Sequence, residues 1–152
     1  MKKQILAMML MAMLMVPAAV LAMDHSKMGH DGSGMSMGGG MIMLQDVEVD
    51  GVMASGHMFD TREKMAKHGM KETHHFMVGF MDTDGNGLSE GQVALKIEAP
   101  DGTVSKPIRL MGMSGAFGSD ITLDQKGKYT FTVGSKLADG KKRSFSMHYK
   151  TM

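Results

Sequence analysis

The chain has 152 residues, a formal net charge of +1 at pH 7, 22 methionines and no cysteine. The nearly balanced charge predicts no basic patch, so nucleic-acid binding has no support. Small exported domains often use disulfides, which this chain cannot form, so its apolar core must be sufficient alone.

Residues 1–22 have the sequence pattern of a secretory signal peptide. Two lysines precede an apolar run from Ile5 to about Val16, which is shorter than the roughly 20 residues that a membrane span needs. Small residues then lead to an expected cleavage after Ala22, so that Met23 begins the mature chain. We therefore expect a periplasmic protein that has no membrane anchor.

Residues 23–40 are rich in Met, His, Gly, Ser and Asp and contain too few branched apolar residues to build a core. We expect this segment to be a flexible, disordered tail. Thioethers are soft ligands that suit Cu(I), and imidazole suits both oxidation states of copper; silver should bind similarly. The candidate metal ligands in and just after the tail are His25, Met28, His30, Met35, Met37, Met41 and Met43.

A plain Gly-rich linker is the alternative interpretation of the tail, because methionine is frequent along the whole chain. Under the metal-binding interpretation, a chain beginning near Ile42 should lose most of its capacity for Cu(I). Replacing Met28, Met35, Met37 and Met41 with Leu should also lower Cu(I) binding without changing the stability of the folded domain.

Residues 41–152 show the alternation of apolar and polar residues that is typical of β-strands. We expect a strand from Ile42 to Val49 with a bulge at Gln45-Asp46, a hairpin at Asp50-Gly51 and a second strand from Val52 to Met58. Further period-2 segments lie at residues 74–81, 93–98, 108–111, 121–123, 129–133 and 145–149. This spacing predicts an all-β, immunoglobulin-like antiparallel β-sandwich, with a small open barrel as the alternative.

One short helix is expected near residues 60–68. Asp60 and Glu63 have the spacing of a capping box, and Gly69 is a typical residue to end the helix.

The segment Asp82-Thr83-Asp84-Gly85-Asn86-Gly87 contains the first ligand positions of an EF-hand calcium loop. Val93 stands where the closing bidentate Glu is needed, and strands rather than helices flank the segment. A hairpin turn is therefore the preferred interpretation.

A second group of candidate metal ligands lies within the β domain. His75, Met77 and Met81 share the strand face opposite Phe76, because successive side chains alternate across a strand. His57, Met58 and His74 are further possible ligands; the predicted ligands are His75, Met77, Met111 and Met113. The ordinary alternative is that His74 or His75 is a satisfied strand-end residue and that Met77 and Met111 only cover the sheet.

The segments THHFMVGFMDTDG, VALKIEAPDG and IRLMGMSGAFGSDITLDQKGKYTFTV, between Thr73 and Tyr149, resemble the YtkA-like group of periplasmic immunoglobulin-like domains associated with copper and iron transport. The resemblance implies copper binding through Met and His on a sandwich. A His before a Tyr-Gly pair is common in that group, and Ala116-Phe117-Gly118 stands in its place here. The nearest equivalents are then His75, Met111 and Met113. The tail is similar to Met/His-rich segments of periplasmic copper- and silver-resistance proteins.

These observations predict a periplasmic Cu(I)- or Ag(I)-binding protein that acts as a metal chaperone, a buffer or a donor to a transport system. An enzyme is not expected, because the sequence contains no Cys and no nucleophile–base arrangement. The expected partners are the metal ion and a membrane metal transporter or efflux system. One alternative is an accessory module that docks on a membrane transporter through adaptable Met contacts. Another is a Met-rich holdase or a scavenger of oxidants.

Overall fold

The computed structural model describes residues 40–152 and the short backbone strand at 36–37. The expected signal peptide and the candidate ligands His25, Met28, His30 and Met35 lie outside the described residues. So does most of the segment that was expected to be disordered.

The described chain is almost entirely β-structure. Its elements, in chain order, are β1 (Ser36–Met37), β2 (Met41–Met43), β3 (Val47–Val49), β4 (Val52–Asp60), α1 (Arg62–Lys67), β5 (His74–Asp82), β6 (Gly91–Glu98), β7 (Ile108–Met113), β8 (Ala116–Ile121), β9 (Gly127–Leu137) and β10 (Lys142–Thr151). Over these residues, no helix is long and apolar enough to cross a bilayer.

The strands form two antiparallel layers that are continuous through β7. Sheet A has the order β1-β2-β4-β5-β8-β7, with β3 also paired to β4, and sheet B has the order β7-β6-β9-β10. Residues 108–110 of β7 pair with β6, and residues 111–113 pair with β8. The predicted antiparallel sandwich with one short helix is confirmed, and its two sheets are parts of one curled sheet.

The core lies between the two layers and is built from the inward side of each strand. Phe76 of β5 packs on Phe131 of β9 with ring centroids 5.5 Å apart, and Phe80 packs on Phe145 of β10 at 5.4 Å. Met58 is also fully buried among these side chains. Its thioether therefore fills core space, and the suggestion that it is a metal ligand is wrong.

Two of the predicted turns have the expected backbone geometry. Asp50 and Gly51 both have positive φ, 49° and 71°, as a two-residue hairpin turn requires. Gly69, after α1, has a φ of 69°, which suits the end of a helix. The expected strand 42–49 is divided into β2 and β3, and the break includes the predicted bulge.

The predicted capping box is wrong in its details. Thr61 occupies the N-cap position, and its side chain makes no capping hydrogen bond. The Asp60 carboxylate instead accepts a hydrogen bond from the Arg62 backbone N–H at 3.1 Å and pairs with the Arg62 guanidinium. Glu63 pairs with Lys67 one turn later, at 2.9 Å, and the Asp60 backbone N–H donates to the Gly40 carbonyl oxygen, so the reciprocal bond of the box is not formed.

The Asp82 carboxylate closes the turn in which it lies. Oδ1 accepts the backbone N–H groups of Asp84 and Asn86, both at 2.9 Å, and Oδ2 accepts the Asn86 side-chain amide at 3.0 Å. These hydrogen bonds lower the pKa of Asp82, with the Asn86 side chain as the largest cause. The geometry is that of the preferred hairpin turn.

Candidate functional site

The outward side of sheet A is unusually rich in methionine and histidine. Alternation along β2, β4, β5 and β7 turns the polar or sulfur-containing positions away from the core. We call this surface the Met/His face; its members are Met41, Met43, Met53, His57, Phe59, His75, Met77, Met81, Met111 and Met113.

Strand register aligns several of these residues in one row across five strands. Directly opposite neighbours in the row are Met43 with His57, His57 with Met77, Met77 with Gly118, and Gly118 with Met111. Directly opposite side chains in antiparallel sheets have Cβ atoms about 5 Å apart. Met77 and Met111 therefore flank Gly118, which has no side chain, and His57 and Met43 continue the row on the side of Met77.

Gly118 forms the floor of this arrangement, and only glycine fits there. A methyl group on its Cα would lie 2.9 Å from the Phe76 carbonyl oxygen, 3.1 Å from Met77 Cγ and 3.2 Å from His75 Nε2. Met77 and the Nε2 edge of His75 thus both approach the space above Gly118. We call this space the Gly118 hollow.

The His75 ring is held in a defined orientation. Its Nδ1 lies 2.7 Å from Oδ1 of Asp120, a distance that fits Nδ1–H donating to the carboxylate. Nε2 then carries the lone pair, and that is the nitrogen beside the Gly118 hollow. Metal-binding histidines are commonly oriented in this way by a carboxylate on the other ring nitrogen.

His57 lies directly opposite Met77 in the row and is the second histidine of the Met/His face, beside His75. Partial burial lowers the pKa of His57, and the positive charge that His75 can carry lowers it further. Both effects favour neutral imidazole, which is the form that binds metals. The His57 ring packs edge-on against Phe59, with centroids 5.5 Å apart.

The structure places every predicted ligand of the β domain on the Met/His face. His75 and Met77 border the Gly118 hollow, Met111 lies directly opposite Gly118 on β7, and Met113 follows on the same strand, opposite Ala116. Met41 and Met43 lie at the β2 edge of the face. The backbone register of β1 pairs Met37 with Met41.

His57 is not among the ligands predicted from the sequence, although alternation in β4 places its side chain on the side away from the core. Its significance depends on its pairing with Met77, which no local pattern reveals. His74 faces the other way: it is 3% exposed, and its Nδ1 lies 2.7 Å from the Thr73 hydroxyl. His74 is therefore a satisfied strand-end residue, as the ordinary interpretation expects.

Across residues 40–152, no three His, Cys, Asp or Glu side chains converge on a common point. The donors gathered at the Gly118 hollow are mostly thioethers. Such a set matches soft monovalent ions such as Cu(I) and Ag(I).

The outward side of sheet B has a different character. Its six exposed cations, which we call the cationic face, are Lys96, Arg109, Lys128, Lys136, Lys142 and Lys150. The expectation of no basic patch is therefore wrong. These residues are scattered along the sequence, and strand alternation collects them on one surface.

The domain defined by this fold is an antiparallel β-sandwich with a Met/His face on one sheet. No family model and no curated protein matches the chain. Its fold is similar to the crystal structure of a DUF4426 family protein from Pseudomonas aeruginosa, with a TM-score of 0.55 and 17% identity. The match covers 72% of this chain and 94% of that chain, and it supports the β fold alone.

Proposed function

We propose that this protein binds Cu(I), and Ag(I) in the same way, and acts as a periplasmic metal chaperone, buffer or donor to a transport system. One observation carries the proposal: Asp120 orients His75 so that Nε2 lies beside Met77 at the Gly118 hollow. Met111 lies directly opposite Gly118 on the neighbouring strand, which adds a second thioether to the set.

The chemistry of this set favours a soft cation. Thioethers need no deprotonation, and neutral imidazole supplies one nitrogen ligand, so the site presents no charge of its own apart from Asp120. The outward positions of β2, β3, β4, β5 and β8 contain no Lys or Arg. On the strands that form the site, the one outward cation is Arg109 of β7, two residues from Met111, so a bound cation meets a repelling charge from that side alone.

The exposure of the ligands favours a carrier rather than a closed storage site. Met111 is 58% exposed, so a donor or acceptor ligand from another molecule can reach the ion. The Met/His-rich tail supplies further soft ligands, and we propose that it captures the ion before the sandwich presents it. Met41 and Met43, which join the tail to the face, support such a path.

The chain departs from the YtkA-like pattern at one specific place. Where that group has a His before Tyr-Gly, this chain has Ala116-Phe117-Gly118. Phe117 is buried in the core, and Gly118 forms the floor of the hollow. We propose that His75 provides the imidazole here, from the neighbouring strand.

A Cu(I) competition titration against a chromophoric chelator tests the proposal on the full mature chain. The variant Met77→Leu/Met111→Leu keeps apolar bulk and removes both thioethers, so it should lose about tenfold or more in affinity at one site. The matched control is Met53→Leu/Met81→Leu, a pair of exposed methionines directly opposite each other on the same face. Equal loss in both variants, or no loss in either, would refute a site at the Gly118 hollow.

A further inference from the structure

The cationic face has almost no compensating negative charge. Glu98 is the one carboxylate among the outward positions of β6, β9, β10 and residues 108–110 of β7. None of the six cations takes part in a salt bridge within the described part of the chain. This surface is strongly positive in a chain whose formal net charge is only +1.

Strand register places like charges directly opposite each other at both ends of the face. Lys136 pairs with Lys142 at one end, and Lys128 pairs with Lys150 at the other. Like charges at directly opposite positions destabilise an antiparallel pair. An anionic ligand that lies across these pairs removes the repulsion, so the arrangement favours binding at the expense of the free protein's stability.

A shallow groove runs between the cations. The bottom of the groove is formed by two small residues, Ala94 and Gly134, which lie directly opposite each other. Arg109 borders the groove on one side, and Lys136 and Lys142 lie at one end of it. The Arg109 guanidinium has the planar fork that binds a carboxylate with two parallel hydrogen bonds. Apart from Glu98, the remaining outward positions carry uncharged polar residues and a histidine: Gln92, Thr130, Thr132, Ser144, Ser146 and His148.

We propose that the cationic face docks an extended, carboxylate-rich segment of a partner protein. The charge of the face requires an anionic partner, and its groove suits a narrow chain better than a flat surface. Its outward positions contain no Phe, Tyr, Trp, Leu, Ile, Val or Met, the side chains that surfaces bound to bilayer interfaces insert. A lipid surface is therefore the less favoured occupant.

Most of the cationic face lies away from the metal site. Its cations on β6, β9 and β10 belong to sheet B, whereas the Met/His face lies on sheet A. The two faces adjoin at β7, where Arg109 lies two residues from Met111. The inference depends on charge and shape alone and does not require that copper binds.

A peptide of ten glutamates, labelled with fluorescein, serves as the probe for the metal-free full chain, with fluorescence anisotropy as the readout. Lys136→Gln/Lys142→Gln should weaken binding at least tenfold, and binding should fall steeply as salt is raised. The control Lys64→Gln/Lys71→Gln removes the same charge from exposed positions outside this face and should bind as the wild type does.

A second variant distinguishes loss of peptide binding at the cationic face from loss of binding caused by unfolding. Lys142→Glu places opposite charges at the Lys136 pair, so it should raise the melting temperature while it abolishes peptide binding. Sedimentation with vesicles of phosphatidylcholine and phosphatidylglycerol tests the lipid alternative. Vesicle binding tighter than peptide binding, or equal weakening in the control variant, would overturn the proposal.

Discussion

Replacement of Gly118 with Ala tests the proposed metal site by filling the space above Gly118, while all the proposed ligands are kept. The added methyl group would lie 2.9 Å from the Phe76 carbonyl oxygen and 3.2 Å from His75 Nε2. The carbonyl belongs to the backbone of the adjacent strand and cannot rotate away. We therefore expect the methyl group to displace His75 and Met77 from the hollow and to strain the pairing of β5 with β8.

The two consequences differ in size and can be measured separately. Overpacking of this kind costs about 1–3 kcal/mol of folding free energy. At about 4 °C per kcal/mol for a domain of this size, the melting temperature should fall by roughly 4–12 °C. Cu(I) affinity at the sheet site should fall by about tenfold or more, which corresponds to about 1.4 kcal/mol.

Gly79→Ala provides the matched control. Gly79 lies on the outward side of β5, as Met77 does, and a methyl group there would meet nothing within 4 Å. The control should retain wild-type Cu(I) affinity and an equal or slightly higher melting temperature. The wild type, Gly118→Ala and Gly79→Ala are compared by Cu(I) competition titration and by thermal unfolding. Undiminished Cu(I) affinity in Gly118→Ala would refute the proposal that Cu(I) binds at the Gly118 hollow.

Two other substitutions test the polar contacts of the domain. Asp120→Asn removes the carboxylate that orients His75, so Cu(I) affinity should fall about 10–100-fold while the apo protein's melting temperature changes little. Asp139→Asn tests the ion pair with Arg143, whose Nη2 lies 2.6 Å from Oδ2 of Asp139 and lowers the pKa of that carboxylate. Because the folded-state pKa is lowered, the stabilisation is present at neutral pH and is lost as the pH falls through that value. Urea unfolding at pH 7 should show a less stable variant, and the difference should shrink in acid; a difference that is constant with pH would contradict this origin.

Local sequence pattern was sufficient for the strands and for the direction in which their side chains point. Alternation around Phe76 correctly turned His75 and Met77 outward, and Asp50-Gly51 correctly predicted a hairpin. Both features depend only on residues close together in the chain. The helix position was also predicted, although its capping contacts were not.

Register and strand order could not be predicted in the same way. Met77, Gly118 and Met111 meet because β8 lies between β5 and β7, an arrangement of segments far apart in sequence. A period of two residues tells which face a side chain occupies, and it contains no information about the neighbouring strand. The cationic face was missed for the same reason, since Lys136 and Lys142 gain their significance only as a cross-strand pair.

The sharing of β7 between the two sheets has a mechanical consequence. Sheets that touch only through side chains can slide over each other, but here one strand is hydrogen-bonded into both. Arg109 and Met111 are two residues apart on that strand, a separation of about 7 Å along the backbone. A displacement of this short length of chain would therefore move one residue of the cationic face and one of the Met/His face together.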